Sequence, residues 1–195
     1  KVKGPVTDIA LPPTLSVDGQ NLSLLYYDDY LSRPAAKAGF RAFMPRIGYS
    51  PDHYGNSGDQ MMEVGGVQQY RWFEYGDRRG RVRLGGFLAK AGSPFVADSG
   101  VQALNTMLGA SMGVINDPDL NQGGAQNLSH LGTTSIGGGG DVWHFTADYN
   151  GSVSDCFFVM DKYSNMYVAV YSFESREAAE NATQQAIGWI DEAAA

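Results

Sequence analysis

Three apolar runs close to one another, Val142 to Asp148, Val153 to Met160 and Met166 to Phe173, constrain the fold most. The first two are separated by Asn150-Gly151, the last two by the polar stretch Asp161 to Asn165. Asn-Gly between apolar runs is the strongest short hairpin signal, because both residues accept the positive φ that a tight turn needs. Three consecutive strands joined this way form an antiparallel meander. A second hairpin is expected upstream. Gln68 to Tyr75 carries Tyr70, Trp72, Phe73 and Tyr75, then Gly76-Asp77-Arg78-Arg79-Gly80 turns the chain. After it Val82, Leu84 and Gly86 alternate with Arg81, Arg83 and Gly85, the period of a strand.

Helices follow each hairpin. Ser99-Gly100-Val101-Gln102 has the form of a capping box, and Val101, Leu104, Leu108 and Met112 recur at helical spacing, with Gly113 as a stop. This predicts a helix over about 100–112. Ser175 caps a closing helix over about 176–192, with Glu177 and Glu180 where the dipole favours acids and Ala179, Ala182, Ala186 and Ile190 on one stripe. The expected class is α+β: antiparallel sheet built from hairpins and a meander, with these two main helices on one face. Residues 1–21, with Pro5, Pro12 and Pro13, read as an extended lead-in, and 22–195 as one domain.

The segments between are expected to be irregular. Leu22 to Tyr27 reads as a strand, Arg33 to Ala38 as a helical turn stopped by Gly39, and Phe40 to Met44 as a strand. The stretch 48–66 reads as a loop holding a short strand at Met61-Met62, and 114–140 as a long loop whose four glycines, 137–140, give a flexible approach to the Trp143 strand. At an offset of 71, Trp72, Gly80, Val82 and Phe87 meet Trp143, Gly151, Val153 and Phe158. This raises an internal duplication of a hairpin-helix unit, in halves of about 22–113 and 141–195; turn glycines and apolar strand positions shared by any two hairpins would produce the same coincidence.

Charge and composition exclude several functions. The net charge is −7, from 14 Lys and Arg against 21 Asp and Glu, which argues against a nucleic-acid binder. The charge is uneven: residues 1–90 carry a net +3 and residues 91–195 a net −10. No run is long enough to span a membrane, and one Cys excludes a disulfide framework or a Cys-based zinc site. Cys156, in an apolar run, reads as a core residue. Asp117 to Gly123 resembles the start of a calcium loop but has Gly at the seventh position and Leu128 where a bidentate Glu is needed. No metal or cofactor is expected: Gly137 to Gly140 precedes a strand and lacks a following Lys-Ser/Thr, and no Gly-x-Ser-x-Gly elbow occurs.

The aromatic strand is the most suggestive functional feature. Tyr70, Trp72 and Glu74 share one face; Arg71, Phe73 and Tyr75 share the other. If one face of the sheet is open, exposed aromatics beside arginines suit a protein, small-molecule or carbohydrate ligand. The candidate contact residues are Tyr70, Trp72, Tyr75, Arg78, Arg79, Arg81 and Trp143. The expectation is a non-enzymatic binding module, extracytoplasmic in a bacterium (periplasmic, secreted or lipid-anchored), with a cytoplasmic setting as the alternative. Two other classes stay open: a hydrolase whose site assembles from His53, His144, Asp141 and Glu74, and a homo-oligomeric assembly subunit driven by the uneven charge.

Overall fold

A computed structural model describes residues 1–121, 123–149 and 151–195 as eight strands interrupted by helices. The strands are β1 (Thr14–Val17), β2 (Gln20–Tyr30), β3 (Val67–Gly76), β4 (Val82–Ala91), β5 (Gln126–Thr133), β6 (Asp141–Tyr149), β7 (Ser152–Tyr163) and β8 (Met166–Ser172). The helices are α1 (Arg33–Phe43), α2 (Pro51–Val64), α3 (Pro94–Ile115) and α4 (Arg176–Ala194). All eight strands form a single antiparallel sheet in the order β1-β2-β3-β4-β8-β7-β6-β5. The class is α+β, and the expected hairpins are β3–β4 and β6–β7–β8. Asn150 of the expected turn lies outside the described residues, as does Gln122 of the calcium-like stretch; the flanking pair Tyr149↔Ser152 closes the β6–β7 ladder.

The two main helices do not share a face. Helix α3 packs with α1 and α2 over Tyr70, Trp72, Phe87, Trp143, Phe145 and Tyr171. Helix α4 packs on the opposite side, over Phe73, Tyr75, Leu84, Leu88, Val168 and Val170. Its stripe Ala179, Ala182, Ala186 and Ile190 is buried as the spacing predicts. A periodic stripe shows that a helix has an apolar face but not which side of the sheet it covers. The N-terminal residues complete the α4 layer: Val2, Val6, Ile9, Leu15 and Val17 are all buried there. With both faces covered, the central strand β8 is buried at every position, which explains a continuous apolar run in place of an alternating one.

The region 33–66 differs most from expectation. Gly39 does not stop α1, which runs on through Phe43. A Cβ at Gly39 would lie 2.4 Å from the Tyr30 ring, so the glycine permits contact between helix and sheet and is not a terminator. Phe40 to Met44 is helical, and 51–64 is a helix, α2, with Pro51 at its first turn. Gly55 and Gly58 would cost an isolated helix about 1 kcal/mol each. Here they sit against Arg41 and Phe40 of α1, so tertiary packing stabilises what local propensity opposes. Helix α3 begins six residues earlier than predicted, with Ser93 as the cap accepting from the Val96 amide, and continues past Gly113 to Ile115.

The glycine run 137–140 is also not a flexible approach. It wraps the carboxylate of Asp161, which accepts from the amides of Gly138 (3.1 Å), Gly140 (3.2 Å) and Lys162 (2.8 Å). A Cβ at Gly140 would meet the Met160 carbonyl at 2.2 Å, so close approach of the loop to β7 requires the glycine. In the second half β8 stands between the β6–β7 hairpin and α4, whereas α3 follows β4 directly.

Candidate functional site

Strand alternation places Phe145 of β6, Cys156, Phe158 and Met160 of β7, and Ala169 and Tyr171 of β8 on the face that α1, α2 and α3 cover. Phe87 of β4 stands opposite Ala169 on the same face. Over this floor the helical layer supplies Phe40 and Phe43 from α1, Tyr54 and Met61 from α2, and Leu108 and Met107 from α3. Between floor and roof lies a cavity of about 470 Å³. Small residues on both sides make the room: Ala169 below, Gly58 and Ala110 above. Ser57 and Gln60 of α2 and Ala110 and Val114 of α3 line it and are solvent-exposed, so it opens between these two helices. The volume falls within the range of small-molecule sites, about 300–1,000 Å³.

The polar groups around the cavity are few. The Cys156 thiol is fully buried, and burial pushes its pKa well above that of a free cysteine, so it stays protonated and is a poor nucleophile. Burial likewise raises the Tyr49 and Tyr171 phenols. The Tyr54 hydroxyl donates to Asn121 (3.0 Å). The hydroxyl of Tyr171 is buried without a hydrogen-bond partner among the described residues, as are those of Tyr70 and Tyr149 and the indole N–H of Trp72. Unpaired buried polar atoms are uncommon, because each costs about 1–3 kcal/mol.

Beside the cavity, Glu74 is 2% exposed and paired with Arg46, whose side chain is 48% exposed and stands over the Trp72 ring at 5.6 Å. On the other face Arg71 is buried, held by Asp29 (2.8 Å) and the Ile9 carbonyl.

The aromatic residues named as candidate contacts, should one face of the sheet be open, are buried: Tyr70, Trp72, Tyr75 and Trp143 are all core residues. The cause is the second layer, since α4 and the N-terminal segment cover the face that a one-sided sheet would leave open. Tyr70, Trp72 and Trp143 lie under α1–α3, and Tyr75 faces α4 and donates to the Pro12 carbonyl at 2.8 Å. Trp143 Nε1 donates to Asn105 at 2.9 Å. Arg78, Arg79 and Arg81 do stay exposed at the β3–β4 turn. With Arg83, Gln20 and Asn21 they line a second, shallower concavity of about 380 Å³. Arg81 pairs with Asp77 and Arg83 with Glu174; Arg78 and Arg79 have no ion pair among the described residues.

The four residues weighed as a scattered catalytic set are not brought together. His53 packs on Tyr54, Asp141 contacts His130 (2.5 Å), His144 contacts Asp155 (2.8 Å), and Glu74 is held by Arg46. Asp141 and His144, three apart on β6, point to opposite faces. Among the described residues no group of three His, Cys, Asp or Glu side chains could hold a metal. No described helix is long and apolar enough to cross a membrane.

The cavity itself escaped sequence reasoning because α2, half of its entrance, reads locally as a glycine-rich loop. The signal that could have found it is Tyr54, Met61 and Met62, whose spacings of seven and eight suit a helix.

No protein-family model matches the chain, and no curated protein does. Among solved structures the chain is similar to the crystal structure of the extracellular domain of PknH from Mycobacterium tuberculosis, at 9% identity over 86% of this chain and 78% of that one, with a TM-score of 0.47.

Proposed function

We propose that the chain is a binding module, not an enzyme, and that it houses a small apolar molecule between α1–α3 and the sheet. One observation carries this reading: a cavity of about 470 Å³ that is walled by aromatic and aliphatic side chains and opens between α2 and α3. Desolvating an apolar ligand there returns roughly 25 cal/mol for each Å² removed from water. Among the described residues no Asp, Glu, Lys, Arg or His lines the cavity, and burial keeps its Cys156 thiol protonated, which supports binding over catalysis.

The test is titration with N-phenyl-1-naphthylamine, a neutral dye that fluoresces in apolar surroundings. The wild-type protein is expected to bind it saturably. Ala110→Trp, which fills the mouth from an exposed position, should weaken binding at least tenfold while leaving the melting temperature unchanged. Dye binding indifferent to that substitution refutes the reading. An extracytoplasmic setting is part of the proposal and is checked by fractionating cells that express the full gene.

A second reading rests on the exposed, unpaired Arg78 and Arg79 beside Gln20 and Asn21. We propose that this hairpin tip contacts an anionic partner, including an acidic surface of a second copy. Salt-sensitive association by light scattering, weakened in Arg78→Ala/Arg79→Ala, is the expected outcome; association unchanged in the double variant excludes the tip.

A further inference from the structure

We infer that the molecule held in the cavity is an uncharged, ring-bearing lipophile, a statement that rests on the binding reading above. Among the described residues no Asp, Glu, Lys, Arg or His lines the cavity. The polar side chains among its lining residues are all neutral: serines, tyrosines, Gln60 and Cys156. Nearby charges are already matched, Arg46 with Glu74 and Arg41 with Asp59. An ionic group entering would lose its hydration and gain no counter-ion, the situation in which charges are excluded from protein interiors.

The walls favour rings over a bare chain. The sheet contributes Phe87, Phe145, Phe158 and Tyr171, and the helical side contributes Phe40, Phe43, Tyr49 and Tyr54. The two sets already touch, Phe43 with Phe87 (5.9 Å between ring centroids) and Tyr171 (5.8 Å) and Tyr49 with Phe145 (5.3 Å), so a bound ring extends an existing aromatic cluster and gains offset and edge contacts beyond area burial.

The experiment compares three probes: N-phenyl-1-naphthylamine; 1-anilinonaphthalene-8-sulfonate, with the same rings plus a sulfonate; and 1-dodecanol, a neutral chain, as a competitor. The wild type should bind the neutral dye at least tenfold tighter than the sulfonate and tighter than the alcohol. Ser111→Lys, which places a cation on the wall, should shift the ratio of the two dyes toward the anion; Ala110→Lys, at the exposed rim, serves if the first variant does not fold. Equal or tighter sulfonate binding by the wild type overturns the uncharged assignment, and tighter alcohol binding overturns the ring assignment; both leave the cavity reading intact. Neutral-dye binding that ignores Ala110→Trp instead removes the cavity reading itself.

Discussion

Replacing Asp161 by Ala tests whether one carboxylate organises the glycine run. In the native protein it accepts from the amides of Gly138, Gly140 and Lys162, and Gly140 is buried with it. Truncation leaves these three donors without an acceptor. A buried donor left unpaired costs about 1–3 kcal/mol. Water can reach the partly buried Gly138 and Lys162 amides, so about 1 kcal/mol each is appropriate there, giving a gross loss of about 3–5 kcal/mol. Against this stands relief of a desolvated carboxylate: burial pushes the Asp161 pKa above the usual range, outweighing the pull of the amides. A net loss of about 2–4 kcal/mol results, or roughly 4–16 °C in melting temperature for a chain of this size. Thermal unfolding followed by circular dichroism measures it, and hydrogen exchange should show the Gly138 and Gly140 amides losing protection. A variant melting within about 1 °C of wild type with those amides still protected refutes the reasoning. The pH dependence has a definite sign. The folded state holds this proton more tightly than the unfolded one, so the contribution of Asp161 is full below the ordinary aspartate pKa and declines as pH rises through the raised value. Asp161→Asn, which keeps an acceptor oxygen, should remove that decline.

Two further outcomes follow from buried groups. Arg46→Ala strands a nearly buried Glu74 and should cost about 2–3 kcal/mol in urea unfolding, below the usual 3–5 for a buried pair because Arg46 is half exposed; adding Glu74→Gln should recover part of it. Cys156, buried and protonated, should resist 5,5′-dithiobis(2-nitrobenzoic acid) in the native protein and react fully in guanidinium, with prompt native-state labelling as the contrary result.

The strands of the two hairpins were legible because period-2 alternation and turn residues are local properties, and Ser175 caps α4 through its own side chain. What was illegible depends on distant partners. Gly55 and Gly58 read as loop residues until α1 is beside them, and Gly39 reads as a stop until the Tyr30 ring against it shows why no side chain fits there. Tyr70 and Trp72 were readable as sharing a face, but whether that face meets water depends on helices elsewhere in the chain. The candidate site suffered most, since a cavity is the space between elements and no single segment encodes it.

The strand order carries a consequence for how the molecule is made. Strand β4 finds its outer neighbour only in β8, where Leu84 meets Ser172, and the Val2 backbone is held by Asn165 in the β7–β8 turn. A ribosome releasing this chain therefore exposes the first half with an open, apolar β4 edge until β8 emerges. Such edges template aggregation, and pairing across this sequence separation is slow. The nascent first half is thus the stage at which this protein most needs a chaperone.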